Sequence, residues 1–181
     1  MLKTRQNFCD LINQNKFKIG AEIGVRYGWF SKYLLDNSNL EKLYSIDCWE
    51  NNAENYEPQL TFQHTKDLLK PYVDNRRCDI VKGYSLNIAQ GFCDSGWKLD
   101  FVYIDALHDY ESVLQDIQAW YHQINSGGVI AGHDYNMNAW PGVYKAVNEF
   151  AESERLTLHL TGIGDTYGEG DGNQPSWWFQ C

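Results

Sequence analysis

The feature that most constrains the fold is an alternation, along the whole chain, of short β-branched segments with longer amphipathic segments. The clearest short segment is Leu99–Ile104, whose nearly unbroken apolar sequence predicts a strand covered on both faces at the centre of a sheet. The other predicted strands are residues 19–23, 42–46, 78–82, 129–131, 156–160 and 176–180. Strands alternating with helices are typical of parallel βαβ units, so the sequence predicts a doubly wound α/β fold.

The amphipathic segments predict helices between these strands. Residues 110–124 carry Val113, Ile117 and Trp120 at helical spacing, and the pair Gly127-Gly128 is expected to end that helix. The remaining predicted helices are residues 4–14, 29–36, 56–72, 87–92 and 143–152. Residues 161–175, rich in Gly and Asp, predict the loop of a C-terminal antiparallel hairpin. No repeat or linker divides the 181 residues, so we expect a single domain, 1–181, with residues 1–18 as an N-terminal helical extension.

Charge and cysteine content exclude several classes of function. A net charge of -9 argues against nucleic acid as a partner, because binding nucleic acid relies on Lys and Arg. The five cysteines show no metal-binding spacing and are expected to be free thiols. Their odd number and the absence of a secretory start predict a cytoplasmic protein. Because no uncharged apolar segment reaches about 18 residues, we expect no membrane partner.

A glycine-containing turn follows the first predicted strand. Glu22, Gly24 and Gly28 have the spacing E-x-G-x-x-x-G, in which the glycines permit a tight turn and allow a ligand to approach the backbone. The segment is neither G-x-G-x-x-G nor a phosphate-binding G-K-S or G-K-T motif, so a kinase or an ATPase has little support. The acidic residue at its start favours a cationic or amine-bearing ligand.

Polar residues or glycines end four successive predicted strands, at the edge where open α/β sheets bind ligands. After the glycine turn comes Asp47, whose carboxylate can accept both hydroxyls of a ribose. Tyr84 and Ser85 end the third strand, where they could border an adenine, and Asp105 ends the fourth. Trp49 could stack on the adenine or form a wall of the pocket. Each residue alone is equally well explained as a cap or a turn, but the set of four favours a cofactor site.

With these residues in place, the chain resembles class I S-adenosylmethionine-dependent methyltransferases, within them a small O-methyltransferase-like subgroup. That subgroup shares Asp-Gly-Asp-His-x-Tyr-Glu, which reads Asp-Ala-Leu-His-Asp-Tyr-Glu at residues 105–111. It also shares Gly-Gly-x-x-x-Gly-His-Asp-Tyr, present at residues 127–135. The resemblance spans residues 20–180 and implies a Rossmann-like sheet of seven strands in order 3-2-1-4-5-7-6, with the last strand antiparallel.

The resemblance also implies a role for each candidate residue. By it, Glu22, Gly24 and Gly28 would neighbour the methionine part of the cofactor, Asp47 the ribose, Tyr84 and Ser85 the adenine, and Asp105 the amino group or a metal. The implied reaction is an in-line attack on the sulfonium methyl group, in which positioning of the nucleophile supplies most of the catalysis.

Two uses of the catalytic edge remain open from the sequence. Asp105 and Asp134 could hold a hard divalent ion such as Mg²⁺, with His133 as a further candidate ligand. Alternatively, His108 or His133 could act as a general base. Leu107 stands where the subgroup has its second Asp, and the loss of that oxygen ligand puts the metal in question.

The leading hypothesis is methyl transfer from S-adenosylmethionine to an oxygen of a small-molecule acceptor, such as a sugar or polyol hydroxyl. Little of the chain lies outside the predicted core, which favours a shallow acceptor pocket, or one completed by a second subunit in a homodimer. The alternative is a non-catalytic binding or assembly module that retains the fold. A nicotinamide-dependent oxidoreductase would share the ribose carboxylate. This chain, however, lacks the glycine pattern with which such enzymes bind the pyrophosphate of their cofactor.

Overall fold

The computed structural model describes residues 4–50, 57–162 and 174–181, and the strands within them form one sheet. These strands are β1 (Ile19–Ile23), β2 (Lys42–Asp47), β3 (Cys78–Lys82), β4 (Leu99–Ile104), β5 (Ile124–Gly132), β6 (His159–Leu160) and β7 (Trp177–Gln180). Their order is β3-β2-β1-β4-β5-β7-β6, with β4 in the middle. The pairs among β1 to β5 are parallel, and β7 is antiparallel to both of its neighbours. The predicted doubly wound, Rossmann-like sheet is therefore confirmed.

Helices connect the parallel strands. A 3₁₀ turn (Arg5–Asn7) precedes α1 (Phe8–Asn15), followed by α2 (Trp29–Asn37), α3 (Pro58–Asp74), α4 (Ser85–Ser95), α5 (Tyr110–Tyr121) and α6 (Pro141–Glu154). Both α3 and α6 begin with a proline, which suits the first helical position because its missing N–H has no partner within the helix. Among the described helices, none has the length and apolar character needed to span a membrane.

Side chains of β4 alternate between two hydrophobic cores, one on each face of the sheet. Phe101 and Tyr103 pack with residues of α1 and α2, whereas Val102 and Ile104 pack with residues of α5 and α6. All four are buried, which explains why this strand is almost purely apolar. The helices thus cover both faces of the sheet.

The prediction that the helix after β4 extends to residue 124 and is ended by Gly127-Gly128 is wrong. Helix α5 ends at Tyr121, and both glycines lie inside β5. There the pairing with β4 shifts register between Leu99 and Phe101, and Gly127 has a φ of 82°. A Cβ at Gly128 would lie 2.5 Å from the carbonyl oxygen of Asp100. The irregularity in the strand, not a helix end, therefore requires the glycines.

The predicted C-terminal hairpin is present as the antiparallel pair β6 and β7, although β6 has two residues where five were expected. Trp177 is buried in the core beside α5 and α6, whereas Trp178 packs against the opposite core, as expected for neighbours on one strand. Most of the predicted loop, residues 163–173, lies outside the described residues. The same holds for residues 51–56.

Candidate active site

The glycine turn lies at the point where the strand order reverses, between β2 and β4 on either side of β1. Gly24 has a φ of 89°, and a Cβ there would lie 2.0 Å from the carbonyl oxygen of Asp105. Gly28 has a φ of 83° and caps the N-terminus of α2. Both positions therefore require glycine, and the turn packs directly against the end of β4. Open α/β sheets bind ligands at such a switch point.

Asp47 is held at the same edge by two backbone hydrogen bonds. Its Oδ2 accepts from the N–H of Arg26 at 2.8 Å, and its Oδ1 accepts from the N–H of Trp49 at 2.7 Å. Each carboxylate oxygen has a further lone pair, so the group can still accept from two ribose hydroxyls. The structure thus brings Asp47 to the glycine turn, in a fixed orientation.

Trp49 is 1% exposed, and its ring packs 4.6 Å from the ring of Phe62. Its indole N–H donates to the carbonyl oxygen of Arg26 at 2.9 Å. Of the two roles expected from the sequence, this burial fits the wall of the pocket and leaves little of the ring available for stacking on an adenine.

Tyr84 and Ser85 point in different directions. Tyr84 is exposed, and its O–H donates to Glu50 Oε2 at 2.7 Å, across the ends of β3 and β2. Ser85 instead donates to the buried carboxyl of Asp116 and accepts from the indole N–H of Trp120 at 2.8 Å. The Ser85 hydroxyl therefore serves the packing of α4 against α5, and only Tyr84 presents its side chain at the open edge.

Asp116 was missed by sequence reasoning, although an acidic residue on the apolar face of α5, between Val113 and Trp120, was a usable signal. Burial raises the pKa of Asp116 to about 6. Its value in an unfolded chain is about 3.9, so the folded state binds the proton more tightly and folding gains stability at low pH. That gain is complete below about pH 4 and is lost as pH rises through about 6.

We therefore expect Asp116→Asn, which cannot titrate, to become more stable relative to wild type as pH increases from 4 to 7. The two-unit shift corresponds to a change of about 3 kcal/mol in the difference between their unfolding free energies. Urea denaturation at several pH values measures it, with the exposed Asp94→Asn on α4 as a control. A difference independent of pH would show that Asp116 does not titrate in this range.

Glu22 is 1% exposed and lies beneath the glycine turn. Its Oε2 accepts from the hydroxyl of Ser31, which lies 2.7 Å from the hydroxyl of Ser45. Burial raises the pKa of Glu22 to about 8. The carboxyl therefore ties α2 to β1 and β2 in this structure, and its oxygens do not lie on the open edge.

Asp105, His108 and Asp134 form a cluster at the ends of β4 and β5, called here the acidic-histidine cluster. One donor atom from each residue lies within 4.8 Å of the others. His108 Nε2 is 2.9 Å from Asp134 Oδ2 and 3.9 Å from Asp105 Oδ1. The sequence predicted that the two carboxylates converge, because β4 and β5 are neighbours. It named His108 only as a base, although its position three residues after Asp105 could have identified a third ligand.

Local backbone features hold the cluster in place. Asp109 caps α5 by accepting from the N–H of Ser112 at 3.0 Å, which fixes the loop that carries His108. Asp134 has a φ of 60°, a conformation that is costly for a residue with a Cβ and is often kept at functional sites.

Charges within the cluster shift its proton affinities. Although burial opposes it, the carboxylates of Asp105 and Asp134 raise the pKa of His108 to about 9. Although burial favours the neutral acids, Arg5 and His108 lower the pKa of Asp105, and the two histidines lower that of Asp134. Without another cation His108 is therefore protonated at neutral pH, a form that cannot accept a proton from an acceptor.

His133 is buried and does not belong to the cluster. Its Nδ1 lies 3.3 Å from Asp134 Oδ1, the oxygen of that carboxylate other than the one nearest His108. Its carbonyl oxygen accepts from the indole N–H of Trp177 at 3.1 Å. This placement suits a residue that orients Asp134, rather than the base or metal ligand considered from the sequence.

Comparison with known sequences gives a direct family match. Residues 18–135 match a family model described as a methyltransferase domain. An uncharacterized protein of Acanthamoeba polyphaga mimivirus is 28% identical over 136 residues, which cover 71% of this chain. The chain spans 57% of the length of that viral relative.

Solved structures share the fold at low sequence identity. An O-methyltransferase from Bacillus cereus, in complex with SAH, has a TM-score of 0.73 and 14% identity, over 97% of this chain and 80% of that one. A TDP-rhamnose 3'-O-methyltransferase of calicheamicin biosynthesis has a TM-score of 0.68 and 15% identity, over 94% and 77%. The family match shows that the chain belongs to the methyltransferase-domain family, and the shared strand order gives it the fold of these O-methyltransferases.

Proposed function

We propose that this protein transfers the methyl group of S-adenosylmethionine to an oxygen of a small-molecule acceptor. The observation that carries the proposal is the acidic-histidine cluster, which stands next to the glycine turn at the open edge of the sheet. Methyl transfer to oxygen needs a hydroxyl held in line with the sulfonium methyl group and deprotonated as it attacks. Oxygen and nitrogen donors converging at this edge are suited to both tasks.

A divalent cation fits the acidic-histidine cluster. His108 Nε2 is buried, and within the described residues it has no hydrogen bond of good geometry despite lying near two carboxylates. Asp105, His108 and Asp134 would hold the ion, which when bound lowers the pKa of an acceptor hydroxyl. The two carboxylates suit Mg²⁺ or Mn²⁺, and the imidazole nitrogen suits a transition-metal ion better than it suits Mg²⁺.

His108 can replace the ligand that is lost at Leu107, which occupies the position of the subgroup's second Asp. Leu107 is 59% exposed, whereas the adjacent His108 turns inward and supplies a third donor atom. To hold a cation there, His108 would have to lose its proton, since only the neutral imidazole is a ligand. This favours His108 as a ligand over His108 as the general base.

The residues at the rim of the cluster support a sugar or polyol as the proposed acceptor. The ring of Trp140 lies 4.2 Å from the ring of His108 and is 37% exposed. Leu107, which directly precedes His108 in the sequence, is also exposed. Exposed apolar groups therefore border a polar centre. A sugar or polyol fits this combination, because it presents both hydroxyls and a C–H face. The TDP-rhamnose methyltransferase with the same fold is a precedent for sugar hydroxyls.

The proposal is tested by incubating the protein with methyl-labelled S-adenosylmethionine and a panel of acceptors, with Mg²⁺ or Mn²⁺. The panel pairs nucleotide sugars, polyols and catechols with amine and thiol analogues. We expect label on a hydroxyl compound only, and none with His108→Ala. Label on an amine or a thiol would contradict oxygen as the nucleophile. Cofactor binding without transfer to any compound would favour the non-catalytic module.

A further inference from the structure

Arg5 reaches the active site from the 3₁₀ turn that precedes α1. Its Nη2 donates to Asp105 Oδ2 at 2.7 Å, across 100 residues of sequence. The side chain is 5% exposed, and its guanidinium carbon lies 4.0 Å from the ring centroid of Phe30 and 5.2 Å from that of Tyr103. The residue lies outside the region matched by the family model, residues 18–135.

The two carboxylate oxygens of Asp105 therefore have different partners. Oδ2 is bound by Arg5, and Oδ1 is the oxygen nearest His108 Nε2, at 3.9 Å. A guanidinium presents its donors in a rigid planar fork, and stacking on Phe30 limits the rotation of that fork. The bond to Arg5 thus restricts how the Asp105 carboxylate can turn.

We infer that Arg5 is a positioning residue of the active site, which holds Asp105 Oδ2 and so presents Oδ1 to the acidic-histidine cluster. The inference rests on the proposed cation site, because Oδ1 is the oxygen that would bind the ion. Groups that hydrogen-bond to a metal-ligating side chain and orient it commonly affect metal affinity about 10- to 100-fold. The N-terminal segment is then part of the catalytic apparatus and not only a cover on the sheet.

If Arg5 had a purely structural role, its loss would lower stability and leave the acidic-histidine cluster unchanged. Arg77 is the matched control for such a role. The Arg77 guanidinium donates to the carbonyl oxygens of Leu35 and Leu40, both at 3.0 Å, near the start of β2 at the opposite edge of the sheet. Loss of Arg77 should therefore lower stability without altering the cluster. Loss of Arg5 should alter the cluster as well.

The test compares wild type with Arg5→Lys, Arg5→Met and Arg77→Met. The first readout is the imidazole ¹⁵N spectrum of His108 without metal, assigned from its absence in His108→Ala. Arg5 donates to Asp105, whose other oxygen faces His108, so Arg5→Met is expected to shift these signals. The second readout is Mn²⁺ affinity by calorimetry, expected to fall about 10- to 100-fold. Arg5→Lys keeps the charge without the fork, so a smaller change is expected in both.

Arg77→Met should lower the melting temperature and leave both readouts at wild-type values. If Arg5→Met does not fold, Arg5→Lys carries the test. Unchanged His108 signals and unchanged Mn²⁺ affinity in a folded Arg5 variant would overturn the inference. If wild type itself does not bind Mn²⁺, the proposed cation site fails, and the His108 signals alone then decide whether Arg5 positions Asp105.

Discussion

Asp47→Ala is expected to weaken the binding of S-adenosylhomocysteine about 100-fold or more. The variant removes a carboxylate that is fixed at the glycine turn, and we propose that this carboxylate accepts both ribose hydroxyls. Each hydrogen bond to a charged group contributes about 1.5–3 kcal/mol, and 1.4 kcal/mol is tenfold in affinity. Calorimetric titration measures the loss, and circular dichroism checks that the fold is retained.

Asp100→Ala is the matched control for this prediction. Asp100 also accepts two backbone hydrogen bonds, from Lys18 at 2.6 Å and Ile19 at 3.0 Å, but at the opposite edge of the sheet. Each variant therefore leaves two N–H groups without their carboxylate acceptor. Of the two carboxylates, only that of Asp47 lies at the proposed ribose site. If the two variants bind S-adenosylhomocysteine equally well, Asp47 has no part in the cofactor site.

His108→Ala should have the opposite selectivity, with Mn²⁺ affinity lowered about 100-fold or more and cofactor affinity close to wild type. The variant removes one of three donor atoms and leaves Asp105 and Asp134 facing each other without the imidazole. Since even groups behind a ligand affect affinity about 10- to 100-fold, loss of the ligand itself should cost at least as much. Methyl transfer should be lost together with the metal.

His122→Ala serves as its control, because His122 is exposed at the C-terminal end of α5, away from the cluster. It should match wild type in both titrations. Undiminished Mn²⁺ binding by His108→Ala would remove the acidic-histidine cluster as the metal site. Undiminished methyl transfer would remove His108 from the reaction altogether.

Those parts of the site that depend on where strands end could be predicted from the sequence. Parallel strands place their carboxyl ends at one edge, so the glycine turn, Asp47, Asp105 and Asp134 were expected to meet there. Side-chain direction was harder, because a pattern gives the position of a residue and not its contacts. Ser85 follows β3 as expected, yet its hydroxyl is held by Asp116 and Trp120.

Two other features had no sufficient sequence signal. The pair Gly127-Gly128 suits both a helix end and an irregular strand, and only the pairing of β5 with β4 decides between them. Arg5 meets Asp105 through a contact between distant parts of the chain, and nothing in the local pattern around Arg5 indicates its partner.

The most direct measurement is to titrate S-adenosylhomocysteine into the wild-type protein in EDTA, and then to titrate Mn²⁺ into the resulting complex. We predict saturable binding of the cofactor product at one site without metal, followed by one Mn²⁺ per chain. Failure to bind S-adenosylhomocysteine under either condition would contradict the assignment of the glycine turn and Asp47 to a cofactor site, and with it the proposed methyl transfer.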